Sequence, residues 1–246
     1  MSSRAALEGS SILLIHGAYH GGWAWKFFAR ILKANGAEVH TPTLTGLGDR
    51  SHLASPSVSL ATHIQDIEAY IRYQEVRPSA VVAHSYGAMV ACALSDRNPQ
   101  FVKSLTLIDG YLPEDSVSVF DLQGSDEANS GRELLASTGF RPPPTVESLG
   151  IEDAEIGCWV SQRLVPHPLN SYGEVRTYRP AVERRSYGMY VSCIRYHKFQ
   201  RFFELARRAG WRAESIDAGH DAMLTHPEEL AGIVVEFILS RRTRDE

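Results

Sequence analysis

The chain alternates short apolar runs with longer segments that have the period of an amphipathic helix. The strand candidates are Ile12 to Ile15, Glu38 to Thr41, Ala80 to Ala83, Ser104 to Ile108, Gly188 to Ile194, and Ala213 to Ile216. Strands that alternate with helices in this way form βαβ units, and βαβ units build a parallel sheet with helices on its faces. The sequence therefore predicts an α/β fold with a mainly parallel, six-stranded sheet.

Helices are predicted between these runs. The segments are Trp25 to Ala34, Leu60 to Ile71, the residues after Ser85 through Ala93, and Pro227 to Leu239. In the second segment apolar residues recur at helical spacing, and Ser59 stands where a side chain caps the first turn. Such helices cover a parallel sheet on both faces.

The alternation stops between Leu112 and about Arg184, where periodicity is weak and three consecutive prolines occur at Pro142 to Pro144. A stretch of this length is too long for a structureless loop in a compact domain, so it should carry helices of its own. We expect a helical cap, residues 112–184, inserted between two strands. The core is then formed by residues 1–111 and 185–246.

The third apolar run leads directly into Ala83-His84-Ser85-Tyr86-Gly87, and a helical pattern follows. This order matches the nucleophile elbow G-x-S-x-G, a sharp strand-to-helix turn that exposes a serine and needs small neighbours. Ala83 replaces the first glycine and adds only a methyl group. Ser85 is thus the candidate nucleophile, and a serine that merely caps an ordinary helix is the alternative.

A glycine-rich segment, His16 to Gly22, follows the first apolar run. Acyl transfer needs donors aimed at the oxyanion, supplied in such enzymes by this loop and by the residue after the nucleophile. The predicted donors are the backbone N–H groups of Ala18 and Tyr86, and a glycine turn without chemistry is the alternative. His16 and His20 have the spacing of a zinc pair but do not lie on a helix, so no metal site is expected.

His220 lies in a glycine turn between the last apolar run and the last predicted helix. A general base at this point reaches the carboxyl edge of the sheet, where the turn with Ser85 also lies. The nucleophile precedes the histidine in the chain, which is the order used by one known class of serine hydrolases. Three motifs at the right strand ends and in the right order favour Ser85 and His220 as nucleophile and base.

The acid that orients the base is less obvious, since no Asp or Glu occurs between Arg184 and Phe203, around the penultimate strand. Asp217 and Asp221 are too near His220 in sequence to reach its Nδ1 easily. We expect Asp109 to accept the His220 Nδ1–H bond, because it ends the strand that follows the nucleophile strand. The alternatives are that Asp109 only caps a turn or that the enzyme uses a Ser–His dyad.

These segments together resemble the α/β-hydrolase family, in the group that contains plant methylesterases, hydroxynitrile lyases and related bacterial esterases. The resemblance rests on Leu14 to Trp25, Thr41 to Gly48, Ala83 to Gly87, Ile108 to Pro113, and Gly219 to Met223. It implies the α/β-hydrolase fold and activity on carboxylic esters without a metal or organic cofactor. It covers the core well and the cap poorly, so it does not identify a substrate.

Two positions distinguish this chain from the lyases of that group. Those lyases carry a threonine where Gly17 stands and a lysine where Asp221 stands, and the lysine provides a cation near the departing cyanide. Asp221 has the opposite charge, so cyanohydrin cleavage is not expected. Ser85 likewise argues against the epoxide hydrolases and dehalogenases of this fold, which use an aspartate nucleophile.

Charge and composition limit the partners. The formal net charge of −4 gives no electrostatic basis for binding nucleic acid, and no apolar stretch has the length of a membrane span or a signal peptide. The three scattered cysteines predict buried thiols rather than a disulfide framework, which favours a cytoplasmic setting. We expect a small-molecule substrate, and a homodimer is left open.

The function predicted from these observations is that of a serine carboxylesterase, which hydrolyses a small or medium, mostly apolar ester or lactone through an acyl-enzyme. Its pocket should lie between Ser85 and the cap, with Trp159 as the first lining residue and Phe120 and Leu164 behind it. Two alternatives remain. One is a non-hydrolytic enzyme on the same scaffold, such as a cofactor-free oxygenase or a biosynthetic cyclase. The other is a ligand-binding receptor that retains the triad.

Overall fold

The computed structural model of the protein describes residues 6–99, 102–184 and 186–245. The strands in these ranges are β1 (Ser11–Ile15), β2 (Glu38–His40), β3 (Ala80–His84), β4 (Ser104–Ile108), β5 (Asp115–Val117), β6 (Phe140–Arg141), β7 (His167–Pro168), β8 (Arg176–Tyr178), β9 (Gly188–Cys193) and β10 (Arg212–Ile216). The α-helices are α1 (Lys26–Ala34), α2 (Leu60–Tyr73), α3 (Gly87–Arg97), α4 (Ser125–Ser137), α5 (Ala154–Ser161), α6 (Asn170–Gly173), α7 (Gln200–Arg208), α8 (Ala222–Thr225) and α9 (Pro227–Asp245).

Six strands form one sheet in the order β10-β9-β4-β3-β1-β2, and each neighbouring pair is parallel. The register places Ala83 of β3 between Ile15 of β1 and Leu107 of β4. All six predicted strands are confirmed, with ends that differ by at most one residue from those read in the sequence. The predicted parallel α/β-hydrolase sheet is therefore correct.

The inner strands β1, β3, β4 and β9 are buried on both faces, which explains why their sequences are largely apolar. In β1, Leu13 and Ile15 belong to one apolar cluster, while Ile12 and Leu14 belong to a second cluster on the opposite face. Alternate side chains of a strand point to opposite faces, so one strand serves both cores.

The four helices predicted from the core sequence are present as α1, α2, α3 and α9. The start of α2 is fixed as expected, because the Ser59 side chain accepts a hydrogen bond from the Thr62 N–H and the Thr62 hydroxyl accepts one from the Ser59 backbone N–H. This reciprocal capping satisfies two donors that the first turn leaves without helical partners. None of the helices in the described ranges has the length and hydropathy needed to cross a membrane.

The insertion begins after β4 and ends at β9, and these two strands are neighbours in the sheet. It contains α4, α5 and α6, as a helical cap requires, but also two antiparallel pairs, β5 with β8 and β6 with β7. The insertion thus carries helices, as predicted, together with two short strand pairs that the sequence did not predict. These four strands could not be predicted from the sequence, because segments of two or three residues are too short to show the alternation of a strand. The expected boundaries of the cap, at residues 111/112 and 184/185, fall between the end of β4 and the start of β9.

Candidate active site

Ser85 lies between the end of β3 and the start of α3, at a backbone φ of +53°. Few non-glycine residues adopt this left-handed conformation, and it persists only where the surroundings enforce it. A Cβ on Gly87 would lie 2.5 Å from the carbonyl oxygen of His16, so the position two residues after the serine must be glycine. Ala83, by contrast, lies fully buried in β3, where its methyl group packs into the core. The local structure is a nucleophile elbow that tolerates alanine at its first position.

A chain of hydrogen bonds joins Ser85, His220 and Asp109. The Oγ of Ser85 lies 3.0 Å from Nε2 of His220, and Nδ1 of the same ring lies 2.6 Å from Oδ2 of Asp109. The three residues follow β3, β10 and β4, whose carboxyl ends meet at one edge of the sheet. The fold thus brings together residues that are 135 and 111 positions apart in the sequence.

Asp109 is positioned by its own backbone and by a neighbouring strand. Its φ is +41°, its side chain is fully buried, and its Oδ1 accepts a hydrogen bond from the backbone N–H of Cys193 at 3.3 Å. Oδ2 is left to accept the His220 N–H. Asp217, in contrast, is exposed and pairs with Arg195 at 2.7 Å.

The surroundings of His220 suit a neutral base. Burial lowers the pKa of its imidazole below the ordinary value, so the ring is uncharged at neutral pH and Nε2 can accept a proton. The ring is stacked against Phe199 with centroids 5.3 Å apart and an interplanar angle of 4°, and against Tyr196 at 4.4 Å. Sequence reasoning missed both aromatic residues, although they follow β9, the strand after which an acid was sought.

The two predicted oxyanion donors lie beside Ser85, since Ala18 lines the same cavity and Tyr86 is the next residue in the chain. Ala18 follows β1, Tyr86 follows Ser85, and neither backbone N–H is engaged by another group within the described ranges. Gly17 lies directly against the elbow, since a Cβ there would lie 2.9 Å from the Cβ of Ser85. The threonine that related lyases carry at this position therefore has no room in this arrangement.

A cavity of about 260 Å³ opens at Ser85 and His220. The residues that line it are Ala18, Tyr19, His20, Ser85, Tyr111, Glu127, Arg141, Pro142, Pro144, Leu149, Tyr172, Tyr196, Lys198, Phe199 and His220. Within the described ranges no cluster of three or more His, Cys, Asp or Glu side chains is arranged to hold a metal ion.

The cap residues expected to line this cavity lie elsewhere. Phe120 is 4% exposed and packs behind Tyr172, at a centroid distance of 6.0 Å. Trp159 packs on the core residues Trp23 and Phe27, at 5.3 and 5.7 Å. Leu164 lines a separate groove of about 980 Å³. Aromatic and aliphatic side chains occur in the packed interior of a cap as often as in the wall of a pocket. The residue types alone therefore did not identify the residues that line the cavity.

The cavity is also more polar than the sequence suggested. Glu127 of α4 accepts hydrogen bonds from Arg141 at 3.1 Å and from Lys198 at 2.5 Å through one carboxylate oxygen. Two cations thus face one anion, which leaves an excess positive charge beside four tyrosines. Sequence reasoning missed this group, because its members come from separate segments that share no motif.

The parallel sheet, the inserted cap and the serine at a strand-to-helix turn define an α/β-hydrolase. Residues 12–233 match the model of the alpha/beta hydrolase family. A carbendazim-hydrolysing esterase of Nocardioides sp. (strain SG-4G) is 33% identical over 239 residues, which cover 90% of this chain and 97% of that protein. Methylesterase 2 of Arabidopsis thaliana is 22% identical over 176 residues, which cover 59% of this chain and 63% of that protein. The chain belongs to the alpha/beta hydrolase family.

Solved structures show the same fold. An extracellular alpha/beta-hydrolase from a Paenibacillus species superposes with a TM-score of 0.80 at 18% identity, over 92% of this chain and 98% of that one. The Arabidopsis methylesterase MES16 superposes with a TM-score of 0.69 at 17% identity, over the same shares. At these identities the likeness concerns the fold.

Proposed function

We propose that this chain is a serine carboxylesterase that works through an acyl-enzyme, with Ser85 as nucleophile, His220 as base and Asp109 as the acid that orients it. The observation that carries the proposal is the continuous hydrogen-bonded chain from Ser85 Oγ through His220 to Asp109. Each of these residues lies in the loop that follows a different strand of the sheet and is at least nine-tenths buried, so the fold assembles the hydrogen-bonded triad. Such an arrangement activates a hydroxyl group that is otherwise a weak nucleophile.

In the first half of the reaction, His220 Nε2 takes the Ser85 proton as Oγ attacks the ester carbonyl carbon. Negative charge develops on the carbonyl oxygen, and the N–H groups of Ala18 and Tyr86 stabilise it. The imidazolium of His220 then protonates the departing alcohol, and Asp109 holds its Nδ1–H throughout. The products are the free alcohol and an ester of Ser85.

In the second half, a water molecule replaces the alcohol. His220 removes its proton, the resulting hydroxide attacks the acyl carbonyl, and the same two N–H groups bind the oxyanion again. Proton return to Ser85 Oγ releases the carboxylic acid. No step requires a metal ion or an organic cofactor.

The cavity narrows the substrate class. Its volume of about 260 Å³ is at the small end of ligand pockets, which supports a small or medium ester or lactone. Aromatic side chains such as Phe199 and Tyr172 favour a flat apolar body. The excess positive charge of Arg141 and Lys198 over Glu127 adds a preference for a hydrogen-bond acceptor on that body. Carbendazim and methyl esters are the first substrates to test, because the carbendazim-hydrolysing esterase and methylesterase 2 are named for them. A cytoplasmic setting stays a prediction of the sequence.

Partitioning experiments test the acyl-enzyme. Esters that share one acyl group but differ in alcohol are hydrolysed in the presence of a low methanol concentration, and the ratio of acid to methyl ester is measured. A common acyl-enzyme gives the same ratio for every leaving alcohol. A ratio that varies with the alcohol would contradict the intermediate, and a failure to release alcohol from any ester would contradict the esterase itself.

A further inference from the structure

The residue after the base forms a second buried pair that the mechanism above does not use. Asp221 is fully buried, and its Oδ2 lies 3.0 Å from Nε2 of His20, which is 2% exposed. The other ring nitrogen of His20, Nδ1, lies 2.6 Å from the carbonyl oxygen of Ala18. The pair therefore links the loop that carries the base to the loop that carries an oxyanion donor.

The partners of His20 determine its charge. A carbonyl oxygen and a carboxylate oxygen can only accept hydrogen bonds, so each needs a donor on the ring. A neutral imidazole carries a single N–H and would leave one nitrogen lone pair facing an oxygen. Both contacts are hydrogen bonds only if Nδ1 and Nε2 are both protonated, which makes the ring an imidazolium.

Other buried histidines of the described chain do not have this arrangement. His16 lies 2.8 Å from the Gly17 carbonyl oxygen through Nδ1, but its Nε2 accepts a hydrogen bond from the N–H of Leu44. His63 pairs its Nδ1 with the hydroxyl of Tyr86, which can donate. Each of these rings is satisfied in its neutral form, and burial lowers the pKa of both.

We propose that His20 is a positioning residue that Asp221 holds as an imidazolium at neutral pH, and that it fixes the oxyanion loop and places its positive charge at the wall of the catalytic cavity. His20 lines the cavity and Asp221 does not, so the positive end of the pair faces the site where the oxyanion forms. The inference rests on the proposed function, because it assigns His20 a part in stabilising that oxyanion.

The charged and titratable neighbours of His20 agree with this state. Asp221 is the anion that faces it, and the ring of His84 lies 6.0 Å away. His16 and His220 are also near enough to interact electrostatically, and burial lowers the pKa of all three histidines, so they add no competing positive charge. Burial by itself lowers the pKa of His20, but the charge and hydrogen bond of Asp221 reverse this and raise it above 6.5.

The ionised form of Asp221 is stabilised in turn by His20. Burial alone raises the pKa of Asp221, but the facing His20 overrides this effect and lowers the pKa to about 2. A buried ion pair contributes little to stability as a rule, whereas removal of one partner leaves an uncompensated charge. The role of the His20–Asp221 pair is therefore to position the two loops and to place a positive charge at the cavity, and its contribution to the stability of the fold is small.

Nitrogen NMR of the wild-type protein tests the charge directly. With ¹⁵N-labelled histidine, both ring nitrogens of His20 are expected to carry protons at neutral pH, while His16 and His63 each show one unprotonated nitrogen. The assignment is made with a His20→Gln variant. A single protonated nitrogen on His20 at neutral pH would overturn the proposal, whatever the enzyme hydrolyses.

Kinetics test the consequence. In Asp221→Asn the side chain keeps its shape but loses its charge, so His20 becomes neutral and its Nε2 can instead accept a hydrogen bond from the side-chain amide. We expect kcat to fall about tenfold or more with little change in KM, as for a loss of transition-state stabilisation. The wild-type rate should decline as the pH rises through the pKa of His20, and this alkaline decline should move to lower pH in the variant.

Asp217→Asn is the matched control, because it removes an exposed carboxylate from the same loop. It should retain the wild-type kcat and alkaline decline. An Asp221→Asn enzyme with the kcat and pH profile of the wild type would overturn the proposal. Covalent labelling of Ser85 in the wild type separates this failure from failure of the esterase mechanism, since an adduct there shows a reactive nucleophile whatever the charge of His20.

Discussion

The core side of the cavity is built from loops that each follow a parallel strand, whereas the cap side is built from segments joined by strands of two or three residues. On the core side, Ser85 and Asp109 have left-handed backbones and buried side chains with fixed partners. On the cap side, Arg141 and Glu127 are held by a charge pair in which the carboxylate is 32% exposed. The two walls differ in how firmly their polar groups are fixed.

This difference separates chemistry from selectivity. Groups that must meet a transition state need to be held within a fraction of an ångström, and only the strand-end loops provide that constraint. Partly exposed side chains on a cap can change with little cost to the fold. We therefore expect substitutions on the core side to abolish the reaction and substitutions on the cap side to alter substrate preference.

The largest effect is expected for Ser85→Ala. Removal of Oγ eliminates the acyl-enzyme, and kcat should fall by about four orders of magnitude or more, as triad deletions do elsewhere. Steady-state rates with an activated ester measure the loss. Ser161→Ala, an exposed serine on α5, is the control and should match the wild type. A Ser85→Ala enzyme within tenfold of wild type would contradict the assignment.

Asp109→Asn should have the next largest effect. The amide cannot serve as the same acceptor for Nδ1–H, so His220 adopts the wrong tautomer, and kcat should fall by about two to four orders of magnitude. The dependence of rate on pH, measured beside kcat, should change as well. Asp217→Asn again provides the comparison. An unchanged pH–rate profile would mean that His220 works without an acid.

The residues on the core side of the cavity could be predicted from the sequence, because the backbone geometry around them restricts which residue types can occur there. Gly87 has no room for a side chain, and the turn at Ser85 needs a strand on one side and a helix on the other. Asp109 carries no motif, yet it ends a strand adjacent to the nucleophile strand, and strand order alone suggested it. Each of these restrictions acts on a short stretch of sequence, even though Ser85 and Asp109 come close together only in the folded protein.

Lys198→Met tests the charge cluster that joins the core loop after β9 to Glu127 of the cap, and a smaller effect is expected. The substitution removes the charge and keeps most of the stem, and a partly exposed charge contributes up to about 1 kcal/mol. The kcat/KM of an ester that carries a carboxylate should therefore fall about twofold to fivefold relative to that of a neutral ester of the same size. Lys33→Met, an exposed lysine on α1, is the matched control. A ratio that does not change would remove Lys198 from substrate selection.

The smallest effect on catalysis is expected for Trp159→Ala. Its ring packs on Trp23 and Phe27 and is only partly buried, so the unfolding free energy should fall by less than the ~3–5 kcal/mol of a fully buried tryptophan. Relative rates over a series of acyl lengths should stay within about twofold of wild type. Chemical denaturation and the ester series measure the two quantities. A shifted selectivity profile would show that Trp159 reaches the substrate after all.

The cap wall could not be predicted in the same way. Glu127 and Arg141 of the cap and Lys198 of the core come from three segments, and only the path of the folded chain brings them to one cavity. Trp159 and Phe120 are aromatic residues of the cap, but composition cannot distinguish a pocket wall from a packed interior. The pairing of His20 with Asp221 was missed for a related reason, since the two residues lie 201 positions apart and share no spacing rule.

Covalent labelling tests the central assignment most directly. The wild-type protein is treated with a fluorophosphonate probe, digested, and mapped by mass spectrometry. One adduct is expected, on the peptide that contains Ser85, and it should be absent from Ser85→Ala and preserved in Lys198→Met and Trp159→Ala. An adduct on another residue, or ester hydrolysis without any adduct at Ser85, would contradict the account.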